Sequence, residues 1–322
     1  MKLAGAIVVA LSAIATACAA QLAPGESIVQ TQGPTGVLKG VMQAPSTGAR
    51  GAPAAIIIPG SGPTDHDGNG PLVQTDAYRM LAHALASLGV ATVRIDKRGM
   101  FLSAGAGDPN KATMEGYAAD VHAWAATLRQ ATDQPCVWLI GHSEGGLVAL
   151  VAAQDTKDIC GLVLVSAPGF PLADTMRRQL KANPANAPIL AEALADIDKL
   201  EAGRHIDQNG MNPVLRPLFS ADVQDFLIDE FRFDPPKLVA AYKGPILVMQ
   251  GENDLQVTVD DARALAGARP GVKLDLLPGV NHVLKVAPAD PAGNLATYRN
   301  RDLPLAPGVA EAIADFIKTH AP

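Results

Sequence analysis

Residues 136–146 read CVWLIGHSEGG, and this stretch decides the fold. It starts with an apolar run that predicts a buried strand over 136–140, and a helix follows at once over 145–153. Ser143 stands in the turn between them, within the pattern G-x-S-x-G. A turn this tight raises the serine hydroxyl above the sheet, and it needs glycine where a side chain would strike the neighbouring backbone. We therefore predict that Ser143 is a nucleophile.

Strands and helices alternate along the rest of the chain. This order is typical of right-handed β-α-β units, and continuously apolar strands indicate a parallel sheet. In the helix over 114–128, apolar residues recur at spacings of three and four, which predicts a stripe packed on the sheet. The predicted strands are 35–42, 54–58, 90–95, 136–140, 161–165, 246–249 and 273–277, and the predicted helices are 77–88, 114–128, 145–153, 260–268 and 309–317.

The alternation stops in one long segment. Residues 168–242 are rich in Ala, Leu and charged residues and carry helical patterns near 175–182 and 189–201. We predict that 168–242 is an inserted helical cap, between the two parts of an α/β core at 21–167 and 243–322.

A nucleophilic serine needs a base that takes its proton, and the base needs an acid that fixes its tautomer. Both groups occur downstream, just past the carboxyl ends of predicted strands, where sites form in α/β sheets. Asp254 lies in Gly-Glu-Asn-Asp after the strand over 246–249, and His282 lies in Gly-Val-Asn-His after the strand over 273–277. We predict His282 as the general base and Asp254 as the orienting acid, although Glu252 is close enough to compete.

The tetrahedral intermediate of such a reaction needs backbone N–H donors aimed at its oxyanion. One predicted donor is the N–H of Glu144, which directly follows the nucleophile. The second is predicted in the loop Pro59-Gly60-Ser61-Gly62-Pro63, where we favour the N–H of Ser61. The alternative for this loop is a simple Gly-Pro turn.

Five motifs together resemble a known family. They are GHSEGG at 141–146, PGSGPTDHDGN at 59–69, DKRG at 96–99, GEND at 251–254 and NH at 281–282. In this order they look like the bacterial α/β-hydrolases described as esterases and as serine aminopeptidase-like lipase relatives. The resemblance implies the α/β-hydrolase fold, with an eight-stranded, mostly parallel sheet and helices on both faces. It also implies hydrolysis through an acyl-enzyme and no cofactor. His66 departs from the arginine expected in many relatives.

The acidic residues of the loop over 59–69 have two interpretations. Six residues match most of an EF-hand calcium loop, with an aspartate in place of the bidentate glutamate: Asp65, Asp67, Asn69, Gly70, Leu72 and Asp76. An EF-hand needs a helix on each side, however, and here a buried strand comes first. We therefore predict no metal. We favour an ion pair between Asp65 or Asp67 and Arg98, which would clamp the oxyanion loop.

The first twenty residues read MKLAGAIVVALSAIATACAA. A positive charge at Lys2, an uncharged apolar stretch and small residues before Gln21 predict a secretory signal peptide over 1–20. We expect an exported protein, periplasmic or secreted, without a stable membrane span after cleavage, because the apolar run is short and rich in Ala. A membrane anchor, or a lipoprotein with its lipid on Cys18, is the alternative.

Two cysteines follow the predicted signal peptide. Cys136 and Cys160 lie near the starts of consecutive predicted strands, and such strands are usually neighbours. Export to an oxidising compartment favours a disulfide, but buried cysteine is also a common small hydrophobe, so both states remain open.

Composition excludes one class of partner. The formal charge is −6, and Lys and Arg form no cluster of the kind that binds phosphate backbones, so we expect no nucleic-acid partner. The oligomeric state remains open.

Three functions compete. We favour hydrolysis of a small-molecule carboxylic ester. An aminopeptidase or amidase would use the same three residues, but it would need an acidic pocket for the substrate amine. A binding protein without activity is disfavoured, because all three residues are present in context. Acidic residues of the cap either supply an amine pocket or, as we favour, form solvated helix faces: Asp196, Asp198, Glu201, Asp222, Asp225, Asp229 and Glu230.

Overall fold

The computed structural model describes residues 22–321, so the predicted signal peptide at 1–20 lies outside the described residues. The strands are β1 (Glu26–Gly33), β2 (Gly36–Gln43), β3 (Ala54–Ile58), β4 (Ala91–Ile95), β5 (Val137–His142), β6 (Ile159–Val165), β7 (Ile246–Gly251) and β8 (Lys273–Leu277). The helices are α1 (Ala77–Ser87), α2 (Met114–Thr132), α3 (Glu144–Ala152), α4 (Leu172–Ala182), α5 (Leu190–Glu201), α6 (Ala221–Glu230), α7 (Pro235–Ala241), α8 (Val259–Gly267), α9 (Pro291–Ala296) and α10 (Val309–Thr319). In this part of the chain, no helix is both long and apolar enough to cross a membrane.

The eight strands form one sheet in the order β1-β2-β4-β3-β5-β6-β7-β8. β2 is antiparallel to both β1 and β4, and every other neighbouring pair is parallel. This mostly parallel sheet confirms the fold class that the resemblance implied. Because parallel strands end at the same edge, the loops after β3, β5, β7 and β8 converge there.

Successive side chains of the central strands point alternately into two separate cores. Ile56, Ile58 and Leu139 point to one face, which α2, α3, α7 and α8 cover. Ile57 and Ile140 point to the opposite face, which α1 and α10 cover. Strands that are apolar at every position need helices on both faces for this reason. The apolar stripe predicted in α2 is buried in the first core, as expected.

Helices α4 to α7 occupy the segment between β6 and β7. α4, α5 and the residues up to Phe231 form a small core of their own. α7 differs from the prediction, which assigned it to the cap. Its Val239 and the following Tyr242 are buried in the core of the sheet, where they pack with α3 and α8, so α7 belongs with the main body.

The sequence predicted seven strands individually and missed β1. β1 lies at the edge of the sheet, and its residues Glu26–Gly33 are mostly polar and only partly buried. A partly buried edge strand does not need a continuous apolar run, because hydrogen bonds to its one neighbour hold it in place. The sequence of β1 therefore lacks the pattern by which the other strands were predicted. α6, α7 and α9 were also missing from the predicted helices.

A disulfide joins Cys136, directly before β5, to Cys160 in β6, and their Cα atoms are 5.2 Å apart. β5 and β6 are adjacent and parallel, as expected for consecutive strands. The bridge closes a loop that contains Ser143 and all of α3.

Replacing both cysteines with serine should lower the free energy of unfolding by about 3 kcal/mol. The bridge restricts the unfolded chain across a separation of 24 residues. Denaturant titration of the variant against oxidised wild type measures the difference. Reduced wild type is the control and should resemble the variant, whereas equal stability of the oxidised and reduced protein would argue against such a constraint.

Candidate active site

Ser143 lies in a strained turn at the end of β5. Its φ is 54° and its ψ is −127°, a conformation that residues with a side chain rarely adopt. A Cβ on Gly141 would lie 2.3 Å from the carbonyl oxygen of Gly145, and a Cβ on Gly145 would lie 2.3 Å from that of Ile58. Both positions therefore require glycine, as the pattern predicted for a strand-turn-helix with the serine at its tip.

His282 and Asp254 form a hydrogen-bonded pair. The Nδ1–H of His282 donates to Oδ2 of Asp254 at 2.8 Å, and both side chains are almost fully buried. The other carboxylate oxygen accepts from the backbone N–H groups of Gln256 and Val257 at 2.8 and 3.0 Å. These bonds fix the carboxylate, which in turn orients the imidazole so that Nε2 is the nitrogen able to accept a proton.

The environment of Asp254 favours its ionised form. Burial alone would raise the pKa of the carboxyl group, but the charge and hydrogen bond of His282, with the backbone donors, outweigh it and hold the pKa below its usual value. Glu252, the predicted competitor, is exposed. The pairing with His282 is therefore made by Asp254.

Ser143 and His282 line one cavity of about 200 Å³, which Gly60 and Ser61 of the loop after β3 also line. Gly60 lies so close to the nucleophile turn that a Cβ added there would be 3.1 Å from the Cβ of Ser143. The structure thus brings the residues predicted as nucleophile, base and acid to one edge of the sheet, together with the predicted oxyanion loop.

Lys97 connects the oxyanion loop to the residue after Ser143. Its Nζ donates to the carbonyl oxygen of Gly60 at 2.8 Å and pairs with Oε1 of Glu144 at 3.2 Å. Lys97 and Glu144 are both buried, where such charge-assisted contacts are strong. The sequence analysis missed this role, although Lys97 lies in the DKRG motif, because a residue on another strand's loop gives no local sign of its partner.

A second buried connection runs from Gly60 to His282 through two side chains. The N–H of Gly60 donates to the hydroxyl oxygen of Tyr78 at 3.2 Å, and that hydroxyl donates to Nδ1 of His142 at 2.8 Å. The Nε2–H of His142 donates to the backbone carbonyl of His282 at 2.8 Å. A carbonyl only accepts, so these directions follow if His142 is neutral. Burial, together with the charge of His282, lowers the pKa of His142 to about 3, which keeps it neutral near pH 7.

The predicted ion pair of Arg98 with Asp65 or Asp67 is wrong. Arg98 donates to Oδ2 of Asp120 in α2 at 2.7 Å, because that carboxylate is buried and needs a cation. Asp67 instead pairs with Arg94 of β4, and Asp65 accepts hydrogen bonds from N–H groups of its own loop. The cation that pairs with this loop is therefore Arg94 of β4, and not the predicted Arg98.

His66, which stands where arginine was expected, contacts Asp96. Its Nδ1 lies 3.0 Å from Oδ2 of Asp96. Burial opposes the charged imidazole, but the hydrogen bond and charge of Asp96 raise the pKa of His66 above its ordinary value. Across residues 22–321, no three or more His, Cys, Asp or Glu side chains are arranged to hold a metal ion.

Asparagine side chains connect the Asp254 loop to the His282 loop. The side chain of Asn294 in α9 donates to the backbone carbonyl of Asn253 at 2.8 Å and accepts from the side chain of Asn281 at 3.2 Å. The sequence analysis missed Asn294, which lies 41 residues from Asn253 in a short helix that no apolar pattern predicts.

Most acidic residues of the cap are paired with cations. The pairs are Asp198 and Glu201 with Arg177, Asp196 with Lys199, Asp225 with His205, and Asp229 with Arg232. The expectation of solvated helix faces is wrong for Asp196 and Glu230, which are buried. Asp222 and Glu230 line a second cavity, which lies between the cap and the sheet.

Residues 70–215 match the model of a family described as serine aminopeptidase, S33. The matched range includes the nucleophile turn and ends before Asp254 and His282. No curated protein matches the chain.

Three solved structures resemble the chain over nearly their whole length. Est1E from Butyrivibrio proteoclasticus with bound ferulic acid is 18% identical, with a TM-score of 0.58 over 90% of this chain and 96% of that one. The alpha/beta hydrolase GrgF from Penicillium sp. sh18 is 19% identical, with a TM-score of 0.58 over 92% and 99%. A thermophilic esterase from Thermogutta terrifontis with bound malate is 19% identical, with a TM-score of 0.54 over 92% and 100%. These likenesses establish the α/β-hydrolase fold and, with the family match, confirm the resemblance inferred from the motifs.

Replacing Tyr78 with Phe should lower kcat about tenfold and change KM less. The hydroxyl is a hydrogen-bond partner of both Gly60 and His142, and a buried N–H left without a partner costs about 1–3 kcal/mol. Steady-state kinetics on the best available ester substrate separates the two constants.

Tyr242→Phe is the matched control, since it removes a hydroxyl from an equally buried tyrosine between α7 and β7, outside the lining of the cavity that holds Ser143. It should leave kcat within about twofold of wild type. An unchanged kcat in Tyr78→Phe would show that the connection from Gly60 to His282 has no positioning role.

Proposed function

We propose that this α/β-hydrolase-fold protein is a serine hydrolase that cleaves carboxylic esters of small molecules through an acyl-enzyme. Ser143 is the nucleophile, His282 the general base and Asp254 the acid that orients the base. One observation carries the proposal: a serine in a strained turn shares a cavity with a histidine that a buried carboxylate orients.

The reaction begins when Oγ of Ser143 attacks the ester carbonyl carbon and Nε2 of His282 takes its proton. The carbonyl oxygen becomes an oxyanion that accepts hydrogen bonds from the N–H groups of Ser61 and Glu144. When the intermediate collapses, His282 gives the proton to the leaving alkoxy oxygen, and the alcohol departs. Water then attacks the acyl-enzyme by the same steps and releases the carboxylic acid and free Ser143.

The similar structures support an ester as the substrate. The Thermogutta terrifontis protein is described as an esterase and holds malate, and Est1E holds ferulic acid. Both ligands are small carboxylic acids, which is the class of product that an ester hydrolase releases. The chain contains the three residues and the two N–H groups that we assign to this reaction, and the reaction as proposed needs no cofactor.

An aminopeptidase using the same residues is the second candidate. The family match favours it by its description, and so does the position of Asp222 and Glu230 at the cavity between the cap and the sheet. We still favour ester hydrolysis, because neither residue is well suited to bind a substrate amine. Asp222 is exposed, and Glu230 lies beside Glu144, where Lys97 already supplies a cation.

We also propose that the protein is exported, to the periplasm or beyond. The leader-like residues 1–20 support export, and the disulfide between Cys136 and Cys160 suits an oxidising compartment. The N-terminal residue of protein recovered from the periplasm or medium should be Gln21. Recovery of the chain only from the cytoplasm, with Met1 intact, would refute export.

Ser143→Ala and His282→Ala should each lower kcat/KM on the order of a thousandfold or more, without unfolding the protein. Asp254→Asn should have a severe but smaller effect, because the imidazole remains in place with its tautomer less well fixed. Rates with p-nitrophenyl acetate and circular dichroism of each variant measure activity and folding.

Glu252→Gln is the matched control for Asp254→Asn, because it makes the same chemical change at an exposed position two residues away. It should retain nearly full activity. If Glu252→Gln were inactive while Asp254→Asn remained active, the orienting acid would be Glu252.

Ester and amide specificity can be compared directly. We expect p-nitrophenyl esters to give a higher kcat/KM than aminoacyl p-nitroanilides in the wild-type protein. A higher kcat/KM for an anilide would establish the aminopeptidase instead.

A further inference from the structure

The cavity between the cap and the sheet measures about 550 Å³. It shares Ser61 with the smaller cavity that holds Ser143, so the two meet at the oxyanion loop. Most of the surface inside the larger cavity is apolar, and its apolar side chains come mainly from the cap: Leu172, Met176, Leu218, Val223, Phe226 and Leu227. Its volume lies within the range of pockets that enclose a small organic molecule.

The position of His282 decides which part of an ester enters each cavity. The leaving oxygen must lie beside His282, because His282 gives it a proton. His282 lines the smaller cavity, with the polar side chains of Thr64 and Gln256. Glu144, a proposed donor to the oxyanion, lines the larger cavity, and His282 does not. The alcohol part therefore belongs in the smaller cavity and the acyl part in the larger one.

We propose that the cavity under the cap is the acyl pocket, and that the preferred substrate is an ester with a medium-length, apolar and uncharged acyl group and a small alcohol. This proposal rests on the proposed ester hydrolysis and specifies its substrate class.

The charged groups in this pocket compensate one another. Lys97 and Glu144 form an ion pair, with Nζ and Oε1 3.2 Å apart. Glu230 is only 6% exposed, and burial together with the negative charge of Glu144 raises its pKa well above the ordinary value, although Lys97 opposes the shift. The raised pKa favours the neutral form of Glu230, and in that form Glu230 adds no charge to the Lys97–Glu144 ion pair. Asp222 is exposed to solvent, so water screens its attraction for a substrate cation.

Three methyl esters test the proposal in the wild-type protein: methyl acetate, methyl octanoate and methyl 7-aminoheptanoate, with acid release followed by pH titration. Each methylene buried in an apolar pocket is worth about fourfold in kcat/KM. The kcat/KM for methyl octanoate should therefore exceed that for methyl acetate by at least about a hundredfold. The kcat/KM for methyl octanoate should also exceed that for methyl 7-aminoheptanoate at least about tenfold, since the second ester has the same length but ends in a cation.

Two results with the wild type would overturn the proposal. Equal kcat/KM for acetate and octanoate would mean that the acyl chain does not enter the apolar cavity. A preference for the aminoheptanoate would mean that Glu230 and Asp222 bind a cation. If none of the three esters were hydrolysed, the result would instead count against ester hydrolysis itself. A failure of the acyl-pocket proposal can therefore be distinguished from a failure of the proposed function.

A pair of variants locates the pocket. Val223→Trp should fill part of the cavity and lower the octanoate-to-acetate ratio of kcat/KM at least tenfold. Val214→Trp makes the same change on the cap at a residue that is 67% exposed and outside the cavity lining, and its ratio should match the wild type. Equal ratios in both variants would place the acyl group elsewhere, and the wild-type ester series stands if either variant fails to fold.

Discussion

One close backbone contact determines the position of Ser143, the proposed nucleophile. The start of α3 packs directly on the carbonyl groups at the end of β3, where Gly145 has no room for a side chain beside Ile58 and Pro59. The chain must therefore turn sharply between β5 and α3, which forces Ser143 to a positive φ. The same contact sets Gly60 against Ser143. A single arrangement of backbone thus positions both the proposed nucleophile and the loop proposed to hold its oxyanion.

Buried polar side chains maintain that arrangement from two sides. Lys97 bonds both to Gly60 and to Glu144, and the route through Tyr78 and His142 connects Gly60 to the backbone of His282. Neither connection leaves a buried charge without a partner, which would cost free energy in the protein interior. Lys97 is paired with a carboxylate, and His142 is neutral because burial lowers its pKa to about 3. A second imidazolium beside His282 would weaken its ability to take a proton.

The central strands and the residues around Ser143 were predictable because their signals are local. A buried parallel strand is apolar at every position, the nucleophile turn needs glycine at fixed places, and Asp254 and His282 each follow a clear strand. Helix boundaries near these elements differ from the prediction by a few residues. β1 was not predictable in the same way, because an edge strand of polar residues lacks a burial pattern.

The supporting contacts were not predictable, since each depends on which loops meet in space. Arg98 and Lys97 are adjacent in the chain, yet Arg98 turns to Asp120 while Lys97 turns to Gly60. The motif that contains both gives no sign of this division. Asn294 is likewise recognisable only after folding brings α9 beside the loop of Asn253. The acidic cap residues show the same effect, because helix packing buries Glu230 and leaves Asp222 in solvent.

The central claim is that Ser143 is a nucleophile activated by His282. Covalent labelling with a fluorophosphonate probe, measured by mass spectrometry of the intact protein and of its peptides, tests this claim most directly. We predict one adduct per chain, on the peptide that contains Ser143, and labelling that slows at least about a hundredfold in His282→Gln. A folded wild-type protein that gains no adduct, or that carries its adduct on a different residue, would contradict the account.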